Sequence, residues 1–262
     1  MAKDEAISYK LFGVDFGSNP EQREFVRLMR LPPSKMPLIY CLGDAGTGKT
    51  FVSLAASLSL VRGKGASKKY KTIYYIREPI EVGHRLGYLK GGEEEKYAPY
   101  LWPLLDNYFR LMEYDKSEAK SPQKGDKIRN TSPSRDDALP YAYRRLPSDI
   151  VPLAPEFLRG RSFEDCLLLV DEAQNMSLDE FQTISTRIGS NCKLVFLGST
   201  NQIDAKEQSE SKNDFLLSYE ILKSTGLVGM VRFIKPMRSA FVAEFDEAFV
   251  SYRKKQDSKA GN

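Results

Sequence analysis

One eight-residue run, Gly43-Asp44-Ala45-Gly46-Thr47-Gly48-Lys49-Thr50, fits the pattern G-x-x-x-x-G-K-[ST]. Its chemistry is anion binding. Glycines let the backbone curl so that successive N–H groups point into one concavity, where phosphate oxygens meet the positive end of a following helix. Lys49 is spaced to reach the β- and γ-phosphates of a nucleotide such as ATP, and the Thr50 hydroxyl to ligate Mg²⁺. A second constellation lies further along. Leu167-Leu168-Leu169-Val170 reads as a buried strand that ends in Asp171-Glu172, which delivers both acids to the carboxyl edge of a sheet, where α/β folds bind ligands. Asp171 is assigned to the Mg²⁺ shell, and Glu172 to orienting or deprotonating the attacking water. A third run, Lys193 to Leu197, ends in Gly198-Ser199-Thr200-Asn201-Gln202. A neutral amide there can bond to both phosphate and water, which suits Gln202 to sensing the γ-phosphate; a plain polar turn fits the same residues.

These groups need a scaffold that brings strand ends together. Pro37 to Leu42 is a short apolar run ending at the glycines, and Thr50 to Arg62 reads as the helix that follows. Thr72 to Ile76, Cys166 to Val170 and Lys193 to Leu197 are further runs of strand length, and a helix-compatible stretch from Leu178 to Ile188 separates the last two. Strands alternating with helices predict an α/β fold, a mostly parallel sheet with helices on both faces. Glu113 to Ile150 breaks the rhythm, being rich in Ser, Pro, Lys and Asp, and is expected to form a flexible or loosely folded insertion. The tail from Tyr252 to Asn262 is expected to fray.

Composition narrows the class. At 262 residues, 41% apolar and 28% charged, the chain suits one globular α/β domain. No apolar run approaches the roughly 20 residues that span a bilayer, and Met1 to Glu5 lacks a secretory stretch, so the expected compartment is the cytoplasm. Cys41, Cys166 and Cys192 are too few and scattered for a disulfide framework or zinc site and are expected as core thiols. His84 is the single histidine, so Ser/His/Asp or multi-histidine metal chemistry would rest on it alone. Net charge is +4, a mild preference for polyanions. A basic loop, Arg62, Lys64, Lys68, Lys69 and Lys71, has tyrosines nearby and suits phosphate contacts or simple solvation. Trp102 fits either stacking on a base or packing onto the core.

Taken in order, these motifs resemble the PhoH family, P-loop ATPases related to the first motor domain of superfamily 1 helicases. The resemblance covers roughly Phe16 to Tyr252 apart from the insertion. Asn19-Pro20-Glu21-Gln22 is similar to the adenine-reading glutamine motif, which assigns Gln22 to the base. Arg77-Glu78-Pro79 through Leu86-Gly87-Tyr88-Leu89 resembles the segment after the second strand, and Glu95-Lys96 and Pro99-Tyr100-Leu101 continue it. Leu158 to Phe163, Asp171-Glu172-Ala173-Gln174-Asn175 and Thr186-Arg187-Ile188-Gly189 match most closely. Gln202-Ile203-Asp204 fits the family's glutamine motif, with Ser199 where an aspartate usually stands. Met237-Arg238-Ser239 resembles the late arginine motif without its neighbouring histidine, which makes Arg238, alongside Arg187, a candidate phosphate contact.

The resemblance implies a RecA-like ATPase domain that uses ATP and Mg²⁺. It also implies a homo-oligomer, such as a hexameric ring, in which a neighbour supplies an arginine, and RNA or single-stranded nucleic acid as the substrate. A monomeric helicase needs two such domains, and there is room for one. Two other readings share the loop: a P-loop kinase, and a non-enzymatic binding protein gated by nucleotide.

Overall fold

In a computed structural model of the chain, the structure describes residues 8–63, 65, 68–77, 98–118, 146–158, 160–199, 214–237, 244–245, 248 and 251–252. Six strands form one sheet: β3 (Leu38–Gly43), β4 (Thr72–Arg77), β5 (Ile150–Leu153), β6 (Cys166–Asp171), β7 (Lys193–Gly198) and β8 (Val228–Phe233). Their order is β5-β4-β6-β7-β3-β8, and every neighbouring pair is parallel. A two-stranded hairpin, β1 (Lys10–Leu11) and β2 (Val14–Asp15), precedes them. Among the described residues the α-helices are α1 (Pro20–Arg30), α2 (Lys49–Val61), α3 (Trp102–Glu118), α4 (Leu178–Ser185) and α5 (Asp214–Leu222).

Alternation along the strands explains why both faces are covered. Ile39 and Cys41 of β3, Ile73 and Tyr75 of β4, Leu167 and Leu169 of β6, and Val195 and Leu197 of β7 pack into one cluster with α1, α2 and α3. Their neighbours Leu38, Tyr40, Ile76, Leu168, Leu194 and Phe196 pack into a second cluster with α4 and α5. Strands buried on both sides read as continuous apolar runs, which is why β3, β6 and β7 are visible in the sequence. In the second cluster Tyr40 is fully buried amid Phe181, Phe196 and Phe215, with its hydroxyl 2.9 Å from the Ser218 Oγ. Burial pushes the Tyr40 phenol up to about 12, against the opposing effect of the Ser218 hydrogen bond.

The predicted strands and the helix after the loop lie within a residue or two of their observed bounds. The expected insertion is corrected at both ends. Helix α3 continues through Glu118, with Leu104 and Leu111 buried against the core, and β5 begins at Ile150; residues 119–145 lie outside the described residues. Trp102 packs with Leu105, Phe109 and Leu146 in a small satellite cluster. The three cysteines are buried and free, as expected, with the Cys166 and Cys192 sulfurs 3.4 Å apart. The basic loop is largely consumed within the molecule: Arg62 grips Asp149 through Nε and Nη2, Lys69 Nζ donates to Arg30 O, and Lys71 pairs with Asp165. Among the described residues, no helix is long and apolar enough to cross a membrane.

Candidate functional site

Strand β3 ends at Gly43, and the chain turns through the loop into α2, whose first residue is Lys49. Two glycines make that turn possible. A Cβ on Gly43 would lie 2.7 Å from both the Phe233 carbonyl oxygen and Thr47 Oγ1, and Gly48 caps the helix with φ +89°, a left-handed conformation that costs a side chain. Thr47 Oγ1 closes the loop by donating to Asp44 O at 2.8 Å. Lys49 folds its ammonium onto the Gly43 and Asp44 carbonyls, the latter at 3.0 Å. A cation resting on carbonyl oxygens is easily drawn to a phosphate, because a charged acceptor bonds it more strongly than a neutral one. Ala45 and Gly46 complete the loop, and Met237 N donates to Gly46 O at 2.8 Å.

The acidic pair arrives from β6, which β7 separates from β3 in the sheet. Thr50 and Asp171, 121 residues apart in sequence, face each other with Thr50 Oγ1 at 3.2 and 3.3 Å from the two carboxylate oxygens. Asp171 is 3% exposed, and its second oxygen also accepts from Tyr75 Oη at 2.7 Å and from Arg77 Nη1 at 3.4 Å. Register explains the last contact, since Arg77 and Asp171 are direct partners at the ends of β4 and β6. Glu172 turns out of the strand at φ 56°, a left-handed conformation unusual outside glycine and asparagine and of the kind found at functional sites. Its carboxylate accepts from Arg77 Nη2 at 3.3 Å and Gln174 Nε2 at 2.7 Å. Gln174 in turn accepts from Ser199 N at 3.0 Å, and Ser199 Oγ lies 3.3 Å from Asp44 Oδ1. One hydrogen-bonded chain thus runs from the end of β4, through both acids, to the tip of the phosphate loop.

Electrostatics follow from that crowding. Burial, then the charge of Asp171, raise the Tyr75 phenol well above its ordinary value, so it stays a donor to the carboxylate. Burial opposes the charge on Arg77, but Tyr75, Asp171 and Glu172 outweigh it and hold the guanidinium more firmly protonated than usual.

A cavity of about 570 Å³ opens beside the loop and is lined by Gln22, Gly46, Gly48 and Phe51, by the hairpin residue Phe16, and by one face of α3. Gln22 is 4% exposed as a residue and borders the cavity. It is aimed there by α1, whose Asn19 cap accepts from the backbone N–H groups of Glu21 and Gln22 and whose first position is Pro20. The Gln22 amide offers one acceptor and two donor hydrogens to a ligand in the cavity.

The residues present fit a nucleotide with its magnesium. The Thr50 hydroxyl and the Asp171 carboxylate are hard oxygen donors facing each other, a set that suits Mg²⁺, which takes one or two protein ligands beside phosphate and water. The structure brings Lys49, Thr50, Asp171 and Glu172 to one edge, with Asp44 linked to them through Ser199. Gln202 and Arg238 lie outside the described residues. Arg187 sits at the opposite, amino edge of the sheet, where its carbonyl accepts from Phe163 N just before β6 begins. Sequence reasoning missed Tyr75, Gln174 and the ion pairs of Arg77. Only the family segment pointed near Arg77 and Gln174, and no spacing signal marks Tyr75.

Comparison with known proteins gives the following. Residues 17–249 match the family described as PhoH-like protein. The chain is 33% identical over 205 residues to Protein PhoH2 of Bacillus subtilis, covering 78% of this chain and 41% of that protein. It is 28% identical over 251 residues to a PhoH-like protein of the same organism, covering 95% of this chain and 65% of that one. The chain therefore spans less than two thirds of the length of these relatives. Among solved structures, the large terminase of a thermophilic bacteriophage in complex with ADP is 14% identical, with a TM-score of 0.48 over 87% of this chain and 49% of that one.

Proposed function

The chain belongs to the PhoH-like family, and from that premise we propose that it is a Mg²⁺-dependent ATPase whose site is the carboxyl edge of the sheet. The observation that carries this reading is the meeting of Thr50 with Asp171 across 121 residues, with Lys49 and Glu172 at the adjacent positions. In this assignment the backbone of Gly43 to Thr50 and the Lys49 ammonium bind the β- and γ-phosphates, and Gln22 reads the base. Thr50 and Asp171 hold Mg²⁺, which when bound neutralises charge developing on the phosphate oxygens. Glu172 orients and deprotonates the attacking water, Gln202 senses the γ-phosphate, and Arg238 contacts phosphate. Tyr75 and Arg77 hold the Asp171 and Glu172 carboxylates in place by hydrogen bonds. The whole chain acts as one RecA-like domain.

The finer reading is an enzyme stimulated by RNA or single-stranded nucleic acid and working in the cytoplasm as a homo-oligomer, a neighbour completing each site with an arginine. Family membership supports it; the basic loop gives it less support than its charge suggests, since Arg62, Lys69 and Lys71 are engaged within the chain. One observation favours the alternative of a nucleotide-gated binding protein: both oxygens of Glu172 are occupied, by Arg77 and Gln174.

ATP turnover measured with no polymer, with RNA and with DNA, at two salt concentrations, separates these. Hydrolysis that stops on chelating Mg²⁺ and rises with RNA, less so at high salt, is the expected result. ATP binding without turnover under every condition would establish the binding protein instead.

A further inference from the structure

The nucleotide site as assigned leaves one wall of the cavity without a task. Helix α3 contributes Asn107, Arg110 and Tyr114 to it, residues spaced three and four apart and so on one face of the helix. The opposite requirement, packing, is met by Leu104, Leu105 and Leu111, which are fully buried. The cavity face has a different character. The Arg110 guanidinium lies over the Phe51 ring, 5.7 Å from its centroid, and the Tyr114 ring meets the same phenyl edge-on at 6.3 Å. Among the described residues Arg110 forms no ion pair. Phe51, Arg110 and Tyr114 line the same cavity as Gln22, whereas Lys49, Thr50, Asp171 and Glu172 are not among its lining residues.

Building on the ATP-site reading, we propose that this face of α3 is the stacking wall for the nucleoside, with Arg110 and Tyr114, braced by Phe51, holding the base. The division of labour follows from the chemistry. A guanidinium plane and a phenol ring stack on any base, so α3 supplies affinity without choosing among purines. Gln22, which can bond to adenine through both its amide donor and acceptor, supplies the choice. The ligand class is a purine nucleoside di- or triphosphate, and α3 is part of the site rather than an ornament of the insertion.

Calorimetric titration of the full chain with Mg·ADP, Mg·GDP and inorganic tripolyphosphate tests this. Arg110→Ala is expected to weaken ADP and GDP alike, each by roughly tenfold, and to leave tripolyphosphate unchanged. Arg110→Lys, which keeps the charge and loses the plane, is expected to weaken both nucleotides nearly as much. Tyr114→Ala, at a side chain 41% exposed, guards against a folding artefact and is expected to act in the same direction. Nucleotide affinity within twofold of wild type in Arg110→Ala, or full affinity in Arg110→Lys, overturns the stacking wall. A wild-type protein that binds tripolyphosphate as tightly as ADP overturns it too, with the phosphate loop intact. If wild type binds none of the three, the ATP-site reading itself fails.

Discussion

The two edges of the sheet bury charge in different ways. At the carboxyl edge, Thr50, Tyr75, Arg77, Asp171, Glu172 and Gln174 satisfy one another, side chain to side chain, over distances of 2.7 to 3.4 Å. At the amino edge Lys193 is fully buried, and its ammonium donates to the backbone carbonyls of Leu28 at 2.9 Å and Leu31 at 2.7 Å, the last turn of α1. Carbonyls at a helix C-terminus lack partners within the helix and carry partial negative charge, so a lysine there satisfies them and complements the dipole. The carbonyls that hold the fully buried Lys193 are fixed by the fold, unlike the loop carbonyls under the partly exposed Lys49. Side-chain partners can be exchanged for a phosphate or a cation. The difference teaches that buried charge at one edge holds α1 in place, while at the other it is poised for ligands, and α1 connects the two because its first turn carries Gln22.

The largest effect that could break this comparison is at the loop. Lys49→Ala is expected to lower ATP turnover by about a hundredfold or more, since it removes the cation facing the phosphates, while the thermal midpoint stays within about 2 °C of wild type. Steady-state turnover and a melting curve check both halves; a large drop in stability would mean the edge is structural. Next, Glu172→Gln is expected to bind ATP with near wild-type affinity and hydrolyse it ~10² to 10⁴ times more slowly. Single-turnover rates matching wild type would remove Glu172 from the role of base.

The amino edge should respond in the opposite sense. Lys193→Met strips two helix carbonyls of their donor and is expected to cost about 1–3 kcal/mol of unfolding free energy by urea titration, with turnover per folded molecule unchanged. A further effect is on pH. Burial, with a further push from Lys69, lowers the Lys193 ammonium from its ordinary 10.5 to about 7. The unfolded chain then binds more protons than the native one between those values, so this residue's contribution to stability grows as pH rises from 7 towards 10.5 and is lost as pH falls through 7. The wild-type stability curve should carry that rise, and Lys193→Met should flatten it. A slope unchanged by the substitution would show that the two carbonyls keep Lys193 charged in the fold.

Much of this is legible in the amino-acid sequence. The phosphate loop, the acids at the end of β6 and four of the strands follow from local pattern: glycines where the backbone must curl, apolar runs where both faces are covered. Helix α1 is signalled by Asn19 and Pro20 in cap and first position, yet the same residues belong to the motif around Gln22, which reads as chemistry before it reads as helix. The end of α3 is not legible because Glu113 to Glu118 is polar, which composition alone cannot tell from a loop. Strands β5 and β8 are edge strands, with only part of each buried, so their apolar signal is weak.

What the sequence determined by itself is the set of groups that can do chemistry, because the loop and the strand-end acids are each encoded within a few consecutive residues. What only the tertiary structure decided is which of them meet. The register of β4 against β6 sets Arg77 beside Asp171, the place of β7 between β3 and β6 sets Ser199 between Gln174 and Asp44, and the packing of α3 on α2 turns Arg110 towards Phe51. Those pairings join residues far apart in the chain, and they are fixed by the strand order and helix packing that bury the two cores, which no local spacing records.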